Sequence, residues 1–163
     1  MKKIDVIILC GGKGIRLRPL TQNTPKPLVK INNKEILSYI IDHVKNFSVN
    51  NIYLATGYQS TKVKQYLNRR KSSNNIYLVN SGVNSDIILR IQECLKYINN
   101  DFLVLYGDTL SNVNITKLIN VAKKNKNRAI MTLWNMPIDF GVIKFDKIRL
   151  QQILMKNQSQ IYG

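Results

Sequence analysis

The amino-acid sequence predicts an α/β domain, a three-layer α/β/α and Rossmann-like arrangement around a mostly parallel central sheet. Three observations predict it. Apolar runs of strand length alternate with stretches of helical spacing, the pattern of successive βαβ units. The first run, Ile4 to Cys10, is apolar without a break from Val6 onward, as a strand covered on both faces must be. The chain then leaves this strand through a glycine-rich loop, at the strand end where open α/β sheets bind ligands. With 163 residues the chain fits one domain with a core of its own.

Each further element follows from its local pattern. Gly11 to Val29 is too rich in Gly, Pro and basic residues for a regular element and reads as a long loop. Lys34 to Phe47 is a helix, because Ile36, Leu37, Ile40, Ile41, Val44 and Phe47 share one stripe. Asn51 to Thr56 is a strand. Thr61 to Arg70 is a helix with Val63, Tyr66 and Leu67 inward, and Ile76 to Val79 is a short strand. Ile87, Ile91, Leu95 and Ile98 recur at helical spacing and predict a third helix. Asp101 to Tyr106 is an apolar strand and Asn114 to Lys124 a helix. Ala129 to Trp134, Gly141 to Phe145 and Arg149 to Leu154 read as strands without intervening helices, so that end of the chain is expected to be mixed or antiparallel.

Composition narrows the function. Lys and Arg number 25 against 9 Asp and Glu, a formal charge of +16. The basic residues are spread along the chain and there is neither aromatic–basic interleaving nor a helix-turn-helix, so a nucleic-acid partner is not expected. No apolar run reaches membrane-spanning length and no signal-peptide pattern follows Met1, so a cytoplasmic location with no membrane partner is expected. Cys10 and Cys94 form no CxxC pair and read as small buried hydrophobes. The lone His43 lies on a helix with no triad around it. Few carboxylates remain for metal or acid–base work.

The chemistry is concentrated in Leu9-Cys10-Gly11-Gly12-Lys13-Gly14-Ile15-Arg16-Leu17-Arg18-Pro19-Leu20-Thr21, continuing to Pro25-Lys26-Pro27-Leu28. Three glycines let backbone N–H groups approach an anion. Arg16 can grip phosphate oxygens in a fork, and Lys26 acts as a point charge. Neither GxGxxG nor GxxxxGK[ST] is matched, which disfavours a dinucleotide fold and a P-loop.

This stretch resembles the signature of the sugar-1-phosphate nucleotidyltransferases, GGxGTRLxPLT followed by PKPL. The resemblance continues through Thr56-Gly57-Tyr58, Leu105-Tyr106-Gly107-Asp108 and Phe140-Gly141-Val142-Ile143. Ser111-Asn112-Val113-Asn114-Ile115 looks most like the glucose-1-phosphate cytidylyltransferase branch. The resemblance implies a GT-A-like fold and transfer of a nucleoside monophosphate from a nucleoside triphosphate, CTP favoured, to a sugar-1-phosphate. It implies that Leu9, Gly11, Gly12, Gly14, Arg16, Lys26 and Ser85 bind the nucleotide, with Arg16 and Lys26 catalytic. Asp108 would hold Mg²⁺, and Gly141 and Lys156 would meet the acceptor. Relatives are often homo-oligomers.

Departures from the pattern bear on specificity. Ile15 stands where the family usually has Thr. Ile87, Ile88 and Leu89 replace a small, glycine-bearing motif near the base, and the Asn-containing segment Ser81 to Ile91 is somewhat closer to cytidylyltransferases of small phosphorylated amines. Met155 stands where an acidic residue usually holds a sugar hydroxyl. Family members continue beyond Gly163 and carry a second magnesium carboxylate, so the chain is expected to lack the usual C-terminal part. It is then either a fragment or a shortened relative, with a catalytically inactive nucleotide-binding protein as an alternative to the enzyme.

Overall fold

A computed structural model describes residues 3–70, 75–125, 129–133, 142–146 and 149–154. The chain separates into two compact units, 1–120 and 121–163. The first begins with β1 (Ile4–Leu9), followed by the long loop, a two-residue hairpin of β2 (Lys30–Ile31) and β3 (Lys34–Glu35), and α1 (Ile36–Lys45). Then come β4 (Val49–Thr56), α2 (Ser60–Arg69), β5 (Ile76–Asn80), α3 (Ile87–Leu95), β6 (Phe102–Tyr106) and α4 (Ile115–Lys124), the last running across the boundary. In the second unit β7 (Val142–Asp146) and β8 (Arg149–Leu154) pair antiparallel.

The sheet of the first unit has the order β5-β4-β1-β6, and all three pairings are parallel. Ile7 of β1 lies opposite Tyr53 of β4 and Val104 of β6. Both faces of β1 are covered, which explains its unbroken apolar run. Val6 and Ile8 pack with Leu37, Ile40, Ile41 and Val44 of α1 and Val63, Tyr66 and Leu67 of α2. Ile7 packs on the other side with Tyr53, Ala55, Cys94 and Ile98. Helices on both faces make the three layers, and each fully buried Leu or Ile contributes about 1.5–3 kcal/mol.

Three features depart from the pattern read in the sequence. The hairpin takes the first residues assigned to α1. Asn32 and Asn33 have φ of 49° and 62°, the two positive values a two-residue type I′ turn needs, and asparagine tolerates them. In α3 the buried residues are Arg90 and Cys94, off the apolar repeat, whereas Ile87 and Leu95 face outward and Ile91 is half-buried; Ile98, beyond the end of the helix, is buried. The helix is turned this way because the Arg90 guanidinium finds carbonyl partners inside. Residues 129–133 form no strand, and Met131 and Leu133 are exposed. No described strand pairs with them, so the ladder that would repay ordering an extended segment is missing. Trp134 lies outside the described residues.

The remaining singled-out residues have structural roles. His43 joins its Nε2 to the Val113 carbonyl at 2.9 Å and packs edge-on against Phe47, tying α1 to the segment before α4. Cys10 and Cys94 are buried free thiols. Burial pushes both thiols up, Cys94 to about 11, and for Cys10 the nearby Asp108 adds to the effect. Both are therefore inert at neutral pH.

Two predictions follow from the packing. Leu37→Ala, at a fully buried position, should cost about 2–5 kcal/mol of unfolding free energy in urea titrations. Asp42 is paired with Lys34 at 2.7 Å and with Arg70. Burial works to raise its carboxyl, but the hydrogen bonds from Lys34 and Arg70 outweigh it and hold the carboxyl below its ordinary value. Its folded-state pKa is thus the lower one, so the stabilisation is complete above the unfolded value of about 3.9 and is lost as pH falls through the folded one. Asp42→Asn should lower stability at pH 7 by about 0.2–1 kcal/mol, as for a partly exposed pair, with the difference from wild type shrinking in melts as the pH falls below the unfolded carboxyl value and through the lower folded one.

Candidate active site

Because all four strands run the same way, their carboxyl ends lie on one edge of the sheet. The loops that begin there are Cys10 to Val29 after β1, Gly57 to Gln59 after β4, Ser81 to Asp86 after β5 and Gly107 to Asn114 after β6. β4 and β5 lie on one side of β1 and β6 on the other, so the order of strands reverses beside β1. That reversal opens the crevice in which sheets of this kind bind ligands.

The long loop is fixed at several points. Cys10 N–H donates to the Ala55 carbonyl at 2.8 Å, and the Gly11 carbonyl accepts from Tyr58 N–H at 3.1 Å. Gly14 has φ of +61°, which favours glycine, and starts a 3-10 turn over Ile15–Leu17. Thr21 is fully buried, and its hydroxyl donates to the Gly14 carbonyl at 2.7 Å. The chain thereby doubles back, and a second 3-10 turn, Lys26–Leu28, brings Lys26 next to Gly14. Farther out, the Gln22 carbonyl accepts from the Tyr58 hydroxyl at 2.9 Å and from Gln59 Nε2 at 3.0 Å, and Lys62 donates to the Asn23 carbonyl.

β6 supplies the opposite wall. Gly107 N–H donates to the Leu9 carbonyl at 2.9 Å. A Cβ at this glycine would stand 2.7 Å from that same oxygen, 2.9 Å from the Cys10 sulfur and 3.2 Å from Pro27, so the approach excludes any side chain. The following residue, Asp108, meets Lys26: its Oδ2 lies 2.5 Å from Nζ, with each side chain about a third exposed.

The structure therefore pairs Lys26 with Asp108, sets Lys26 beside Gly14, and ties Leu9 to Gly107, the residue before Asp108. Gly11 and Ser85 both meet Arg90: a Cβ on Gly11 would lie against its guanidinium, and the Ser85 carbonyl accepts from its Nη2 at 2.8 Å. Gly12 has open space where a Cβ would stand. Arg16 lies exposed in the 3-10 turn and makes no ion pair among the described residues. Gly141, Met155 and Lys156 lie outside the described residues.

Three contributors were not singled out in the sequence. Thr21 and Gly107 belong to quoted motifs, but their roles depend on contacts between distant segments. Arg90 did carry a signal: it stands in the apolar stretch Ile87 to Leu95, four residues before buried Cys94 and eight before Ile98, the spacing of an inward-facing residue.

The arrangement can hold a polyanion. It offers backbone donors, a lysine and an arginine on one side and a single carboxylate on the other. No group of three or more His, Cys, Asp or Glu that could cage a metal exists among the described residues. A lone carboxylate suits Mg²⁺, which takes one or two protein carboxylates and completes its shell with water and substrate phosphates. Asp108 already accepts a cationic group in the Lys26 ammonium, so the site fits such an ion.

The chain is similar to known proteins in sequence and in fold. The family model described as nucleotidyl transferase matches residues 5–158. The chain is similar to the "Bifunctional protein GlmU" of Methanococcus maripaludis, 33% identical over 141 residues, which are 86% of this chain and 32% of that protein. It thus spans about a third of the length of that relative. It is also similar to the "Probable glucose-1-phosphate cytidylyltransferase" of Bacillus subtilis, 30% identical over 162 residues, covering 86% of this chain and 64% of the relative. The crystal structure of HddC from Yersinia pseudotuberculosis complexed with GMP-PN matches with a TM-score of 0.65 at 22% identity, covering 96% of this chain and 71% of that one, and shows the shared fold.

Gly107→Ala tests the close approach of β6 to β1. Because the nearest obstacle is a backbone carbonyl rather than a flexible side chain, the substitution should cost about 1–3 kcal/mol of stability in denaturant titrations. An unchanged stability would show that the two strand ends part freely.

Proposed function

The chain belongs to the nucleotidyl transferase family, and from that premise we propose that it transfers a nucleoside monophosphate from a nucleoside triphosphate to a sugar-1-phosphate, giving a nucleotide sugar and pyrophosphate. The observation that carries the reading is the 2.5 Å pair of Lys26 and Asp108 at the reversal of strand order, beside the glycine loop.

The attacking phosphate is already an oxyanion, so no general base is required. An oxygen of the sugar phosphate attacks the α-phosphorus, the bond from that phosphorus to the α–β bridging oxygen breaks, and pyrophosphate leaves with the electron pair. The barrier lies in bringing two polyanions together and in the charge gathering on the leaving group, so alignment and electrostatics dominate. The N–H groups of Gly11, Gly12 and Gly14 receive the phosphates, and Leu9 and Ser85 border the nucleoside. Lys26 neutralises the α-phosphate and the incoming phosphate, and Arg16 the departing pyrophosphate. Mg²⁺ at Asp108 would supply further charge neutralisation to the triphosphate.

CTP is the preferred donor in this reading. It is supported by the relative named as a cytidylyltransferase and by the likeness of Ser111 to Ile115 to that branch.

The test is pyrophosphate release with Mg²⁺, each of CTP, GTP, UTP and dTTP, and a panel of sugar-1-phosphates. Turnover should be highest with CTP and should stop on chelation of the metal. Asp108→Ala and Lys26→Ala should each lower kcat/KM by about 10²-fold or more, the size of losing one group that stabilises transition-state charge. Undiminished turnover in Asp108→Ala would overturn the assignment. Tight triphosphate binding with no turnover across the whole panel would make the chain a non-catalytic nucleotide-binding relative.

A further inference from the structure

Arg90 is only 5% exposed, yet among the described residues it makes no ion pair. Its partners are neutral. Nη1 donates to the Thr56 carbonyl at 2.8 Å and reaches the Ser81 hydroxyl at 3.4 Å, and Nη2 donates to the Ser85 carbonyl at 2.8 Å. The flat group lies where side chains of two glycines would otherwise stand. A Cβ on Gly11 would fall 2.0 Å from Nη1, and one on Gly57 would fall 2.2 Å from the same atom. One guanidinium therefore touches the segments that leave β1, β4 and β5. Burial of the charge pulls its pKa down, partly offset by Asp86 at the start of α3, but an arginine stays protonated throughout the working range.

Burying a cation among carbonyls is costly, and a neutral chain could close the same space more cheaply. The fork of an arginine does something a neutral chain would not: it fixes the Ser81 to Ser85 segment at one set distance from the glycine loop. We propose that Arg90 is a specificity-determining positioning residue, a bracket that holds the Ser81–Ser85 wall against the phosphate cradle and thereby sets the space left for the base. The inference rests on the nucleotidyl-transfer reading for the identity of that space. Arg90 itself touches no substrate and acts through the backbone of Thr56 and Ser85.

A planar donor with two directed bonds cannot be replaced by a single ammonium or by an apolar chain of equal length. Arg90→Lys keeps the charge but only part of the fork, and Arg90→Met keeps the volume alone. In both variants the phosphates should be held as before while the base is read less well.

The experiment measures dissociation constants for CTP, GTP, UTP, dTTP and inorganic tripolyphosphate, together with amide hydrogen exchange over residues 81–89. Both variants should hold tripolyphosphate within about twofold of wild type. The ratio between the best and the next-best nucleoside triphosphate should fall about tenfold in Arg90→Met and less in Arg90→Lys, and the Ser81–Ser85 amides should exchange faster in the same order. Where turnover is measurable, KM for the triphosphate should rise more than kcat falls. If Arg90→Met does not fold, Arg90→Lys carries the test. Wild-type base ratios and wild-type amide protection in a folded variant would overturn the proposal, as would an equal loss of tripolyphosphate and nucleotide binding, which would mean general damage to the cradle. If wild type binds no triphosphate, the nucleotidyl-transfer reading and the base-wall role fail together, and the exchange data alone then report whether the bracket exists.

Discussion

The hydrogen bond from Gly107 N–H to the Leu9 carbonyl, closed over a position that admits only a hydrogen atom, is the constraint on which the rest of the site depends. It keeps the end of β6 pressed on the end of β1 after the sheet itself has stopped. From there the chain turns Asp108 toward Lys26 of the Lys26–Leu28 turn. The apolar sheet supplies the rigidity behind this contact. Val6, Ile7 and Ile8 are fully buried, so β1 cannot shift without opening both layers at once.

The scarcity of acidic residues sharpens the assignment of roles. Asp5 is buried and accepts from Asn50 and from the Asn51 backbone at 3.1 Å each, at the amino end of the sheet. Asp86 caps α3 by accepting from Leu89 N–H at 2.7 Å. Asp42 lies between Lys34 and Arg70, and Glu93 holds Lys96. These carboxylates are spent on local structure, whereas Asp108 lies at the carboxyl edge and has a partner contributed by the glycine-rich loop.

The sheet and the long loop after β1 are legible in the sequence because they depend on local pattern. An apolar run announces a doubly covered strand, and a run rich in glycine, proline and basic residues announces a loop. The roles of Gly107, Thr21 and Arg90 were hidden because they consist of contacts between segments far apart in the chain. The facing of α3 does not follow its apolar repeat for a related reason: Ile87 and Leu95 are exposed, and a guanidinium with good carbonyl acceptors is buried instead. The hairpin was missed although Asn32-Asn33 is a legitimate turn signal, because two-residue strands leave almost no alternation to read. At 129–133 a strand-like composition produced no strand, since composition cannot supply a neighbour to bond with.

The threonine bolt inside the long loop has one more implication. With Thr21 locked to Gly14, and with Tyr58, Gln59 and Lys62 fastening the Gln22–Asn23 stretch, most of the loop's freedom disappears when the polypeptide folds. Under the nucleotidyl-transfer proposal, a triphosphate would meet a mould already set. Little further disorder would have to be given up at that moment, so more of each phosphate contact would be left over as affinity.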